Sequence, residues 1–184
     1  SIPKWKYIAK AIIKNQLSDN DLAHSWLSDN EKSYWFSRSA WSLYTIVKFR
    51  MLISSKDQVN VWLPSYFCDE STTPIRSLGI RLLFYPIQPN GKPDLTACNK
   101  MLAESSPDII VYVHYFGEPL FSEGLYDLAC NSGSWLVEDA AHCLKPGQGI
   151  GNRGKRHPVG HQQDARSRDP RAEAVYRRRR HRHD

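Results

Sequence analysis

Between Ser39 and Ile53 the stretch SAWSLYTIVKFRMLI repeats apolar residues at the spacing of one helix face, with no Gly or Pro to interrupt it. It predicts a helix. The period then changes: Val59 to Leu63 (VNVWL) is a short β-prone run closed by Pro64 and predicts a strand. The alternation continues down the chain. Asp69 to Leu78 predicts a helix interrupted near Pro74, Ile80 to Tyr85 (IRLLFY) a second strand, and Leu95 to Glu104 a helix. Ile109 to Val113 (IIVYV) predicts a third strand, Ser122 to Cys130 a helix, and Ser134 to Val137 a fourth strand. Strands that alternate with helices build a parallel sheet covered on both faces, so the expected class is α/β.

After Gly154 the pattern stops. Residues 155–184 contain no Leu, Ile, Phe, Trp, Met or Cys and cannot bury an apolar face, so a disordered basic tail is expected there. The chain then divides into an N-terminal helical segment (1–33), an α/β body (34–154) and that tail. The division also locates the net charge of +6: residues 155–184 hold 10 Lys/Arg against 4 Asp/Glu, whereas residues 1–154 hold 15 of each. The body therefore has no basic signature for nucleic acid. The 184 residues, 41% of them hydrophobic, suffice for one domain with a real core. No apolar run reaches the length of a membrane span and no signal peptide is visible, although a chain that starts at Ser1 without Met leaves room for an upstream piece. Cys68, Cys98, Cys130 and Cys143 are spread out with no CxxC pair, which argues against a zinc site or a disulfide framework and for free thiols in a cytoplasmic protein.

Candidate chemistry gathers at the predicted strand ends. In a parallel α/β sheet, ligands bind beyond the carboxyl ends of the strands. Asp139, His114 and Pro64 to Tyr66 would lie there. Ser37, Arg38 and Ser39 would open a helix, where free backbone N–H groups and the helix dipole favour a phosphate. One ligand could touch all of these: a flat, phosphorylated heteroaromatic with a basic ring nitrogen. A carboxylate beside that nitrogen would keep it protonated, and Tyr66 could cover the ring face. Each residue also has a plainer role open to it. Asp139 could cap a helix, Ser37 and Ser39 could do the same, and Tyr66, His114 and His142 could be ordinary core residues. Glu138 is expected to bind a neighbouring backbone or solvent group.

Four segments in order, SRSAWSLY (Ser37–Tyr44), VWLPSYFCDES (Val61–Ser71), VYVHYFGEP (Val111–Pro119) and LVEDAAHCLKPGQGIGNRG (Leu136–Gly154), resemble the DegT/DnrJ/EryC1/StrS sugar aminotransferases. These are pyridoxal-phosphate enzymes of fold type I, and the resemblance covers roughly residues 34–154. It implies part of a large cofactor-binding domain and the cofactor pyridoxal 5′-phosphate. Arg38 and Ser39 would bind the phosphate, Tyr66 would stack on the ring, Asp139 would pair with the pyridine nitrogen, and His142 would approach the ring hydroxyl. For an intact member it implies a homodimer that moves an amino group from an amino acid to a nucleotide-linked keto sugar.

The resemblance breaks after Gly154. The family places a Gly-Asp there and, soon after, the lysine that joins the cofactor covalently. Here Lys155 follows Gly154, no later lysine occurs, and Lys145 and Lys155 lie too early. The expectation is a truncated enzyme, inactive as written. A frameshift explains the Arg- and His-rich tail: shifted by one base, codons for His161 to Ala165 can spell Thr-Ser-Lys-Thr-Leu. The alternative is a non-catalytic protein whose tail, with its run Arg177–Arg180, binds nucleic acid non-specifically through phosphates.

Overall fold

A computed structural model describes residues 23–27, 31–56, 58–120, 122–143, 146–147 and 150. The tail expected over 155–184 lies outside them, as does most of the segment expected over 1–33. Two compact units meet in sequence between Ser37 and Arg38, and the second holds the α/β body. Its elements alternate as the hydrophobic pattern requires: α1 (Ser39–Ser54), β1 (Asn60–Pro64), α2 (Asp69–Arg76), β2 (Arg81–Tyr85), α3 (Leu95–Glu104), β3 (Ile109–Val113), α4 (Glu123–Ser132) and β4 (Trp135–Asp139). The strands form one parallel sheet in the order β2-β1-β3-β4.

Side chains alternate between the faces of a strand, and the two faces carry separate cores. Val61, Leu63, Ile109, Val111 and Val113 pack with Leu43 and Val47 of α1 and Ile75 of α2. Trp62, Ile110 and Tyr112 pack with Cys98 of α3 and Leu125, Leu128 and Ala129 of α4. Helices therefore cover both faces. Asp94 and Ser122 cap α3 and α4 by accepting the N–H of Ala97 and Leu125. Helix α2 is not interrupted at Pro74, contrary to expectation, and runs on to Arg76. Proline removes one intrahelical bond, but Ile75 is fully buried and Arg76 reaches back to Thr72 Oγ1 and Asp69 Oδ1, both at 2.9 Å. Those contacts hold the short helix through the missing bond.

The middle of the sheet has one irregularity. The β3–β4 ladder runs over five residue pairs, whereas β1 pairs β3 only at Val61–Ile109 and Trp62–Ile110. Val59 O and Ser65 N–H bond β2, so Asn60, Trp62 and Pro64 turn their backbone groups toward β3. The next rung would run from the N–H of residue 64 to Val111 O. Proline has no N–H, and the ladder stops. The Tyr85 hydroxyl donates to Val111 O instead, at 2.8 Å, in a place where both residues are buried. This gap lies between the strands where the order reverses: β1 leads outward to β2, and β3 leads the other way to β4. Such a switch point is where open α/β sheets bind ligands, beyond the strands' carboxyl ends.

Candidate functional site

A cavity of about 300 Å³ opens at that point, lined by Ser39, Tyr66, Asp139 and His142 together with Tyr115 and Cys68. Four of the five residues to which the resemblance gives a cofactor contact thus share one cavity, although they come from distant stretches of the chain. Arg38 does not line it. Arg38 is the exposed residue before α1, in extended backbone geometry, and its side chain makes no cap bond. The first turn of α1 also holds no acidic residue. The Trp41 N–H turns back to the Arg38 carbonyl at 3.1 Å, which leaves the N–H groups of Ser39 and Ala40 to face an anion.

The acidic pair divides between the two faces of β4. Both residues belong to the strand, which runs two residues beyond its expected end. Glu138 points into the core, where its carboxylate accepts from His114 Nε2 at 3.0 Å. It was expected to bind backbone or solvent; instead it is the partner of a histidine with no exposed surface. A buried imidazole with a carboxylate partner is a structural pair, and His114 does not line the cavity. Tyr112 packs edge-on against His114, with centroids 5.1 Å apart. Burial, and then the charge of Glu138, pushes the Tyr112 phenol well above its ordinary range.

Asp139, one residue on, faces the cavity. Its Oδ1 accepts the Ala141 N–H at 2.9 Å, which ties the carboxylate to the turn after the strand. No other hydrogen bond to this carboxylate is found among the described residues. Its charge is felt nearby: the Tyr115 phenol is pushed up to about 12 by burial first and Asp139 second. The Cys143 thiol is raised by the same two causes in the same order. Tyr115 forms the opposite wall. Its hydroxyl donates to the Tyr66 carbonyl, and the two rings lie 5.6 Å apart. Tyr66 is 66% exposed, so its ring is not a core aromatic and remains open to a ligand. His142 is exposed at the rim, where its Nδ1 accepts the Phe116 N–H at 3.1 Å. A second cavity of about 350 Å³ adjoins on the β2 side and shares Tyr66 and Tyr115.

Sequence reasoning missed Tyr115 and Phe116. The signal was the segment HYFG directly after β3, at a strand end on the switch point. Among the described residues no cluster of His, Cys, Asp or Glu could hold a metal ion, and no helix is long and apolar enough to cross a membrane.

A parallel sheet with helices on both faces and a cavity at this switch point has the fold of part of the large domain of fold-type-I pyridoxal-phosphate enzymes. The chain is similar to the aminotransferase TlmJ from Streptoalloteichus hindustanus, with a TM-score of 0.58, 19% identity and coverage of 78% of this chain and 41% of that one. It is similar to the pyridoxal-phosphate-bound C-S lyase from Staphylococcus hominis, with a TM-score of 0.50, 11% identity and coverage of 73% and 40%. It is also similar to DesV of S. venezuelae, with a TM-score of 0.50, 18% identity and coverage of 75% and 38%. The chain spans about 40% of the length of these proteins. No family model matches the chain, and no curated protein matches it by sequence.

Proposed function

We propose that the cavity is a pyridoxal 5′-phosphate site and that the chain is the cofactor-binding part of an aminotransferase of the nucleotide-sugar type. The observation that carries this reading is the convergence of Ser39, Tyr66, Asp139 and His142 on one cavity at the switch point. The residues fit the group. The start of α1, which no side chain caps, offers the N–H groups of Ser39 and Ala40 to a phosphate. Asp139 presents a carboxylate held in place from one side only, suited to a protonated ring nitrogen. Tyr66 offers an exposed ring, and the cavity is at the small end of the roughly 300–1,000 Å³ typical of small-molecule sites. Bound there, the cofactor would supply an electron sink for a carbanion beside the transferred nitrogen. The chain's own residues bind the phosphate, cover one ring face and keep the ring nitrogen charged.

Among the described residues, no lysine lines the cavity. Since Lys155, and not Asp, follows Gly154 and no lysine comes after it, the chain as given is proposed to hold the cofactor without a covalent link and not to transfer amino groups. An amino-acid donor, a nucleotide-linked keto sugar, a homodimeric assembly and a cytoplasmic location belong to the same proposal for the intact enzyme. The test is binding of pyridoxine 5′-phosphate, which lacks the aldehyde and cannot condense with surface lysines, followed by tryptophan fluorescence. Saturable binding is expected. Asp139→Asn loses a charge-assisted hydrogen bond of about 1.5–3 kcal/mol, or roughly 10- to 150-fold in Kd. Absence of saturable binding, or equal affinity in Asp139→Asn, would sink the reading.

A further inference from the structure

The turn after β3 meets the turn after β4 at one side chain. Phe116 takes left-handed backbone angles, φ 57° and ψ 20°, a region that costs a residue with a Cβ. Its ring is 81% exposed, so side-chain packing does little to offset that cost. The angles accompany a hydrogen bond made by the backbone: the Phe116 N–H donates to the ring nitrogen His142 Nδ1 at 3.1 Å. Gly117 follows with φ 78°, and a Cβ there would stand 3.1 Å from the His142 carbonyl oxygen. The two turns therefore pack closely, through a backbone N–H on a ring nitrogen and a glycine where a Cβ would crowd a carbonyl. A ring nitrogen that accepts an N–H carries no hydrogen of its own, so in the neutral imidazole the hydrogen sits on Nε2.

We propose that the Phe116 backbone N–H is a positioning group that holds His142 as the Nε2–H tautomer, so that His142 offers the cavity a hydrogen-bond donor and not an acceptor. Asp139, which lines the same cavity, can only accept when it is ionised, having no hydrogen to donate. The cavity thus presents an ordered donor and acceptor, which selects a ligand with the complementary pair: an oxygen that accepts and a ring N–H that donates. The identity of that ligand rests on the proposed cofactor site, but the tautomer does not.

Long-range proton–nitrogen NMR of the full chain, labelled with 15N, tests the tautomer directly, with His142 assigned by the signals lost in His142→Gln. At a pH where the ring is neutral, Nδ1 is expected bare and Nε2 protonated. In the imidazolium form both nitrogens carry hydrogen and the Phe116 amide has no acceptor, so its resonance should move with the same midpoint as the ring. Gly117→Ala should push the turns apart, shift His142 toward a tautomer mixture and uncouple the Phe116 amide. Phe116→Gly keeps the N–H and suits the backbone angles, so it should keep the tautomer. A hydrogen on Nδ1 in the wild type, a Phe116 amide indifferent to the ring, or unchanged ring signals in a folded Gly117→Ala would each overturn the proposal. If Gly117→Ala does not fold, the wild-type coupling decides alone. Pyridoxine 5′-phosphate that leaves the His142 signals unmoved would refute the cofactor reading and leave the tautomer standing.

Discussion

Tyr85→Phe removes a single oxygen from the gap between β1 and β3, and its effect can be worked out from the surroundings. Val111 O has no rung from Pro64 and takes the Tyr85 hydroxyl at 2.8 Å. Tyr85 and Val111 are each 1% exposed, so water does not reach the carbonyl when the hydroxyl is gone. A buried acceptor left without a donor costs about 1–3 kcal/mol, while the phenyl ring retains the packing. Taking ~2 kcal/mol, the melting temperature of a chain this size falls by roughly 4–8 °C. Urea unfolding followed by circular dichroism should show a lower midpoint at unchanged slope. Alkaline pH supplies a second readout. Burial, then the neighbouring Tyr115 and Cys98, pushes the Tyr85 phenol well above the ordinary tyrosine range. The folded state therefore keeps a proton that the unfolded state releases. This contribution to stability is full below about pH 10 and is lost as pH rises beyond it. Tyr85→Phe should flatten that alkaline decline. A variant as stable as the wild type, with the same alkaline limb, would show that the hydroxyl does not replace the missing rung.

The acidic pair gives the sharpest contrast among the remaining predictions. Glu138→Leu leaves the buried His114 Nε2 without its partner and should cost about 1–3 kcal/mol, whereas Asp139→Asn, whose Oδ1 can still accept the Ala141 N–H, should barely change urea stability. Equal losses would contradict the division of the pair between core and cavity. Asp108 is 2% exposed and accepts from Lys56 at 2.5 Å and from the Asn60 N–H at 2.9 Å. Asp108→Ala should cost about 1.5–3 kcal/mol and Lys56→Met, at the solvent end of the pair, under about 1 kcal/mol; calorimetry that reversed this order would refute it. The Cys98 thiol is buried and pushed up to about 11, chiefly by burial. Iodoacetamide at about pH 8.5, near the ordinary thiol pKa, should therefore label exposed Cys68 well before Cys98, as read by mass spectrometry, and equal rates would count against the packing of α3.

Elements whose pattern and caps agree were legible end to end. Leu95–Glu104 follows a capping Asp94, and Ile109–Val113 is an unbroken apolar run buried on both faces. The end of β4 was not, because Glu138 and Asp139 are poor strand formers. They stay in the strand through partners that lie far away in sequence: His114 holds one side chain, and the His114 N–H bonds the Asp139 carbonyl at 3.0 Å. Pro74 misled for a related reason, since burial of Ile75 helps to carry α2 past it. The cavity was legible where a residue type announces its chemistry, as for Asp139, His142 and Tyr66. Its rim was harder to read at Phe116: the segment HYFG marked the strand end, but a left-handed backbone at a non-glycine residue leaves no mark of its own in the sequence.

Pro64 and Tyr85 are in effect one decision written at two positions. Any other residue at 64 restores an N–H that competes with the Tyr85 hydroxyl for the same carbonyl. Substitutions at the two sites should therefore be non-additive, with Tyr85→Phe harmful beside Pro64 and nearly silent in a Pro64→Ala background. The doubly changed chain would extend the β1–β3 ladder by a rung toward the crevice that Tyr66 and Val113 line. Val111 O is paired in either arrangement, by a hydroxyl or by an N–H, so the choice at these two positions sets how far the crevice between the strands opens and not whether the sheet is satisfied.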